Sequence, residues 1–206
     1  MNLALLSAFI PTFFFVSITP GMCMTLAMTM GMTIGVKRAL WMMLGELTGV
    51  ATVATLSAIG VAALLLNYPS VFMMLKYLGG AYLAYVGLQM WLSKGKMAIK
   101  MDKEGSRPAS RLELISQGFV TAIANPKGWA FFVALLPPFL DSSQPLTNQL
   151  VVLIAIILTL EWSCLLIYAA GGRTLKSILM KSGNVRIMNR IAGTLMIGVG
   201  VWLAAG

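Results

Sequence analysis

Residues 3–36 read LALLSAFIPTFFFVSITPGMCMTLAMTMGMTIGV, without one charged side chain. As a single α-helix this stretch would extend about 51 Å at about 1.5 Å per residue, against about 30 Å of bilayer hydrocarbon. Pro20 stands near its middle, where a helix cannot continue its hydrogen-bond ladder. The stretch therefore predicts a membrane span broken at Ile18-Thr19-Pro20-Gly21, with backbone polar groups released at the break.

Five further apolar runs follow, at residues 40–66, 71–92, 112–140, 146–170 and 187–206. Each is long enough for a spanning helix of about 20 residues, and none shows the alternation of a barrel strand. The second carries Glu46 and ends at an Asn67-Tyr68-Pro69-Ser70 turn, the third carries Lys76, and the fifth carries Glu161. The fourth is again too long and again holds a central proline, Pro126, in Ala124-Asn125-Pro126-Lys127-Gly128. In the sixth, Arg190 must snorkel to the interface. The expected fold is an all-α integral membrane protein with six transmembrane helices, residues 1–206 forming one transmembrane domain. The halves are 1–92 and 112–206, joined by a polar cytosolic linker, 93–111. The N-terminus lacks a basic leader and a small-residue cleavage site, so Met1 onward is expected to remain as the first helix.

Composition excludes a soluble domain: 59% of residues are hydrophobic and only 10% charged, where globular chains carry about 25% charged residues. There is no histidine, so an imidazole base or histidine metal ligand is excluded. Two cysteines, Cys23 and Cys164, are too few for a thiolate cage or a disulfide framework. No phosphate-binding Gly-Lys-Ser/Thr loop is present, so the chain has no ATP motor of its own. Neither an enzyme activity nor a cofactor or metal is expected.

The net charge of +9 reports orientation. Lys37 and Arg38 fall in the first loop, Lys94, Lys96, Lys100, Lys103, Arg107 and Arg111 in the third, and Arg173, Lys176, Lys181, Arg186 and Arg190 in the fifth. Lys and Arg collect in short cytoplasmic loops, so the odd loops face the cytosol and both termini lie outside. Aromatic interleaving is missing, which argues against a nucleic-acid partner, while anionic lipid headgroups suit the same loops.

The third and sixth helices share a spacing, Gly80 to Gly87 and Gly193 to Gly200, each with a basic residue just upstream. Seven residues are two turns, so each pair lines one face suited to close helix packing. With three helices per half, the second half enters from the opposite side. Proline-broken helices at corresponding places in two inverted-topology repeats are the pattern of secondary transporters, with substrate bound near the breaks.

The residues at the breaks, Thr19, Pro20 and Gly21 with Asn125, Pro126 and Lys127, are the candidate substrate site. A break leaves a helix N-terminus with partial positive charge, suited to a carboxylate. A buried lysine costs about 2.5–3.5 kcal/mol even on lenient scales, so Lys127 either meets a substrate carboxylate or pairs with a glutamate to pin helices. Glu161 falls near the midplane and Glu46 nearer the cytosolic side. Both are candidates for proton coupling or for the substrate's ammonium, with pairing to Lys127 or Lys76 as the structural option. Cys164 and Tyr168 lie at +3 and +7 from Glu161, on its helix face, and either line the cavity or pack behind it. Met22, Met24, Met28, Met30 and Met32 read as adaptable packing rather than a copper site, and Gly45 and Gly49 as a close-packing pair.

These motifs resemble the lysine exporter (LysE/RhtB) family of bacterial amino-acid exporters, in its RhtB-like branch. Thr19-Pro20-Gly21 matches the first-helix Thr/Ser-Pro-Gly-Pro signature, departing at Met22. Gly45-Glu46 stands where Gly-Asp is typical. Lys76-Tyr77-Leu78-Gly79-Gly80-Ala81-Tyr82-Leu83 with Gly87 matches the third-helix signature, and Asn125-Pro126-Lys127 the fourth. The resemblance implies a secondary active exporter of an amino acid or derivative, of the homoserine, threonine or neutral type, in the bacterial inner membrane. It implies proton antiport and leaves the oligomeric state open. The competing reading is a transmembrane thiol-disulfide electron carrier using Cys23 and Cys164.

Overall fold

A computed structural model of the protein describes residues 3–93, 109–136, 139–140, 144–179 and 182–205. Among these the regular structure is helical: α1 Leu3–Ile18, α2 Met22–Thr33, α3 Val36–Asn67, α4 Pro69–Leu92, α5 Arg111–Ile123, α6 Pro126–Leu135, α7 Leu146–Leu179 and α8 Ser182–Ala205. Val36–Leu64 and Leu146–Gly172 are each long and apolar enough to cross a membrane. Leu6–Ile18 and Met22–Thr33, bent by 56° at the break between them, qualify together as a third. The protein is a multi-pass membrane protein.

Several expected boundaries move. The first apolar run divides into α1 and α2 and the fourth into α5 and α6, each interrupted at the residues around its proline. The helix α3 begins at Val36, so Lys37 and Arg38 sit in its first turn rather than in a loop. The spanning part of α7 ends at Gly172, close to the expected residue 170, and the helical residues from there to Leu179 follow a kink, while α8 starts at Ser182, ahead of residue 187. Arg173, Lys176, Arg186 and Arg190, expected in a loop, therefore have helical backbone. Lys and Arg are good helix formers, so the basic segment is helical beyond the kink. At Gly172 the backbone leaves helical geometry with φ 40° and ψ −118°, a conformation available to glycine.

Lipid supplies no hydrophobic drive between helices, so close backbone approach carries their association. The helices α4 and α8 run antiparallel with Gly80 opposite Gly200 and Gly87 opposite Gly193. A Cβ at Gly87 would fall 2.6 Å from the Gly193 carbonyl oxygen, and one at Gly200 would fall 2.5 Å from that of Gly80. The two glycine pairs seen in the sequence thus face one another. The helices α3 and α5 cross as tightly, Gly45 against the Ile115 carbonyl and Gly118 against the Met42 carbonyl, while Gly31 of α2 meets the Ala169 carbonyl of α7.

Basic residues gather at one end. The Arg38 Nη2 donates to the Ala109 carbonyl at 2.5 Å, and the Arg111 guanidinium lies 5.1 Å from the Trp41 ring centre. Arg190 lies over Trp91 at 4.7 Å, the partner that lets it remain in α8. Two buried layers lie on either side of the helix breaks. The one toward the basic end is built on Met24, Met28, Met42, Met43, Leu165 and Tyr168. The other is built on Phe9, Phe13, Phe131, Phe132 and Phe139.

Candidate functional site

Between the two layers lies a cavity of about 120 Å³, where about 10–15 Å³ by a comparable measure holds one water. Its walls come from both broken helices and from the two helices that carry acids. The first break supplies Phe13, Val16 and Ser17 of α1, then Thr19 and Gly21, then Met22, Cys23 and Met24 of α2. The second supplies Ala122, Asn125, Gly128, Phe131 and Phe132. Glu46, Val50 and Val53 project from α3 at spacings of four and three, one helix face, and Glu161 projects from α7.

The two glutamates differ in their partners. Glu161 is 8% exposed and accepts a hydrogen bond from the Ser17 hydroxyl. Glu46 is fully buried, and neither of its carboxyl oxygens has a hydrogen-bond partner among the described residues. Glu46 and Glu161 lie within electrostatic reach of one another. They therefore line one cavity, with Glu46 ten residues, about 15 Å, into α3.

The last helical carbonyl before each break is met by a side chain. The Tyr168 hydroxyl donates to the Ile18 carbonyl at 2.7 Å, and the Trp129 indole donates to the Ile123 carbonyl at 2.9 Å. These are the last helical residues before the first and second break. A carbonyl left bare there would cost about 1–3 kcal/mol. The Asn125 amide donates to the Cys23 sulfur at 3.9 Å, linking the breaks, and the Thr19 hydroxyl turns back to the Phe15 carbonyl at 2.6 Å.

Beyond the first break, the ladder of α2 opens with the Thr25 N–H donating to the Gly21 carbonyl at 2.9 Å. The N–H groups of Met22, Cys23 and Met24 precede that bond and have no acceptor within the helix. Gly21 is the N-cap and no side chain caps the turn. Since these residues line the cavity, it combines a positive helix end with two acidic side chains.

The break residues Thr19, Gly21 and Asn125 line this cavity, and Pro20 stands between the first two. Pro126 and Lys127 occupy the first two positions of α6, but their side chains, like that of Lys76, lie outside the described residues. Cys164 and Tyr168 are fully buried in the methionine-rich layer behind the cavity and are not among its lining residues. Tyr168 instead holds the break in place. Sequence reasoning missed Ser17, Phe13, Val50, Val53 and Trp129. Ser17, three residues before Pro20, was within reach of the break, whereas nothing local marked Trp129 as a carbonyl partner. Both cysteines are free and buried, Cys23 at the cavity and Cys164 behind it.

Comparison with known proteins places this geometry in context. Residues 14–206 match the LysE type translocator family. The chain is 25% identical over 198 residues to the homoserine/homoserine lactone efflux protein of Salmonella typhimurium, covering 96% of this chain and 95% of that one. It is 27% identical over 195 residues to the leucine efflux protein of an Enterobacter species, covering 93% and 91%. An uncharacterised membrane protein of Vibrio cholerae is 26% identical over 204 residues, covering 99% and 98%. No solved structure matches the chain. None of these relatives supports the electron-carrier reading of Cys23 and Cys164.

Proposed function

The chain belongs to the LysE type translocator family, and from that membership we propose that it is a secondary exporter of an amino acid or amino-acid derivative, driven by proton antiport. One observation carries the reading: a helix N-terminus and two buried acids, Glu46 and Glu161, meet in a single cavity between broken helices. A zwitterion needs both kinds of group at once. Its carboxylate is received by the free N–H groups at the start of α2 and by the start of α6 with Lys127, whose aligned dipoles favour an anion. Its ammonium lies between Glu46 and Glu161, which offsets the cost of two acids in a buried site. When the ammonium leaves outward, a proton replaces it on a glutamate, and return of that proton to the cytosol resets the site.

The architecture we infer is six spans in two inverted halves. Helix packing supports it, since α1 rests on α7 as α5 rests on α3, and α2 meets α7 as α6 meets α3. Such paired contacts follow when one half repeats the other upside down. The gathering of basic residues at one end supports a cytosolic placement of that end in the bacterial inner membrane, with both termini outside and anionic lipid against the basic surface. Homo-oligomers are compatible with this arrangement.

The test is efflux from proteoliposomes under an imposed proton gradient. Wild type is expected to move an amino acid uphill and to stop when the gradient is collapsed. Glu161→Gln is expected to keep substrate exchange but lose gradient-driven accumulation. Undiminished gradient-driven efflux in that variant removes the coupling role of Glu161.

A further inference from the structure

The polarity of the cavity is graded along its length, and this bears on which amino acid it takes. The acids and the α2 N-terminus stand at one end. From Glu46 the lining face of α3 climbs through Val50 to Val53, seven residues and about 10 Å farther along. The same cavity and buried cluster as Val53 hold an aromatic wall: Phe13 lies 6.0 Å from Phe131 and 6.1 Å from Phe132 between ring centres, and all three are at most 5% exposed. The two hydroxyls that line the cavity are already engaged. Ser17 donates to Glu161 and Thr19 donates to the Phe15 carbonyl, both at the polar end.

We propose that the transported amino acid carries an apolar side chain of several carbons, of the leucine, valine or methionine class, seated against Val50, Val53 and the Phe13–Phe131–Phe132 wall. The inference rests on the export reading above and narrows it. With the zwitterion fixed at the polar end, the side chain lies, among the described residues, against the valine and phenylalanine wall. A homoserine or threonine hydroxyl placed there loses its water and finds carbon in return, whereas an aliphatic chain loses nothing. Apolar contacts of this kind discriminate by about 10–200-fold per methylene, and an added hydroxyl in an apolar pocket by about a hundredfold.

The full-length protein in proteoliposomes loaded with radiolabelled leucine supplies the test, with unlabelled amino acids competing from outside. Leucine, valine and methionine are expected to displace the label at least about tenfold better than homoserine or threonine. Val53→Thr, which adds a hydroxyl at constant shape, is expected to narrow that ratio about tenfold by improving homoserine. Should Val53→Thr fail to assemble, Val50→Thr probes the same wall. Homoserine or threonine competing as well as leucine in the wild type overturns the inference while leaving export intact. A valine variant that assembles with an unchanged ratio overturns the assignment of this wall. Exchange of none of these amino acids removes the export reading and the inference together.

Discussion

The two layers enclosing the cavity do the same job with different materials. Away from the basic end, Phe9, Phe13, Phe131, Phe132 and Phe139 are 5% exposed or less and meet at ring separations of 5.0–6.1 Å. Toward the basic end, Met24, Met28, Met42 and Met43 are buried to 2% or less, with Tyr168 as the buried ring beside them. Phenylalanine has two torsions and packs in defined edge and offset arrangements, while methionine has three rotatable bonds and adapts to irregular space. The methionine layer, however, is crossed by the tightest backbone contacts, Gly31 on Ala169, Gly45 on Ile115 and Gly118 on Met42. One layer is thus held by its side chains, and the other by backbone crossings with pliable side chains between them. Adjacent halves of one transporter fold can reach the same closure by either means.

Substitutions can break this contrast, beginning where the effect is largest. Gly118→Leu puts a side chain into the Met42 carbonyl, a backbone atom that cannot yield cheaply. It should cost about 3 kcal/mol or more, seen as loss of folded protein in membranes and a lowered Tm in detergent. Next, Phe13→Ala should destabilise by about 3–5 kcal/mol, whereas Met28→Leu, a volume-conserving exchange in the pliable layer, should cost under about 1.5 kcal/mol. Equal losses in a detergent thermal-unfolding series would end the distinction between a rigid and an adaptable layer.

Smaller changes sharpen it. Tyr168→Phe removes the hydroxyl that reaches from the methionine-rich layer to the Ile18 carbonyl, leaving that acceptor bare. About 1–3 kcal/mol is expected, together with faster hydrogen exchange around residues 18–22. The smallest effect is expected for Arg190→Gln, which removes the cation stacked on Trp91 outside both layers. It should lower stability by about 0.5–1 kcal/mol, and a larger loss would show that the α4–α8 pair relies on this contact more than on its glycines.

Much of the fold was legible because membrane spans leave strong local signals. The charge-free run from residue 3 to 36 and the prolines at 20 and 126 marked where helices would be interrupted. The glycine pairs at 80 and 87 and at 193 and 200 marked a packing face. The starts of α3 and α8 at the basic segments lie ahead of the expected ones, because hydropathy weighs charge against spanning whereas helix propensity favours lysine and arginine. The two cavity-lining glutamates were legible as ionisable residues, since such a residue in an apolar run stands out. Ser17, Trp129 and the valine and phenylalanine wall were not, because a serine, a tryptophan or a valine in such a run looks like any other.

The sequence by itself determined that this is a helical membrane protein and that Glu46 and Glu161 lie inside apolar segments. Only the tertiary structure decided that the two acids face one cavity, that Ser17 donates to Glu161, and that Tyr168 and Trp129 meet the Ile18 and Ile123 carbonyls at the breaks. It also decided that the glycine pairs face each other. The reason is geometric: helical periodicity assigns each side chain to a face of its own helix. Which face meets which neighbour, and at what depth, depends on helix starts and crossing points set by backbone contacts between residues far apart in the chain.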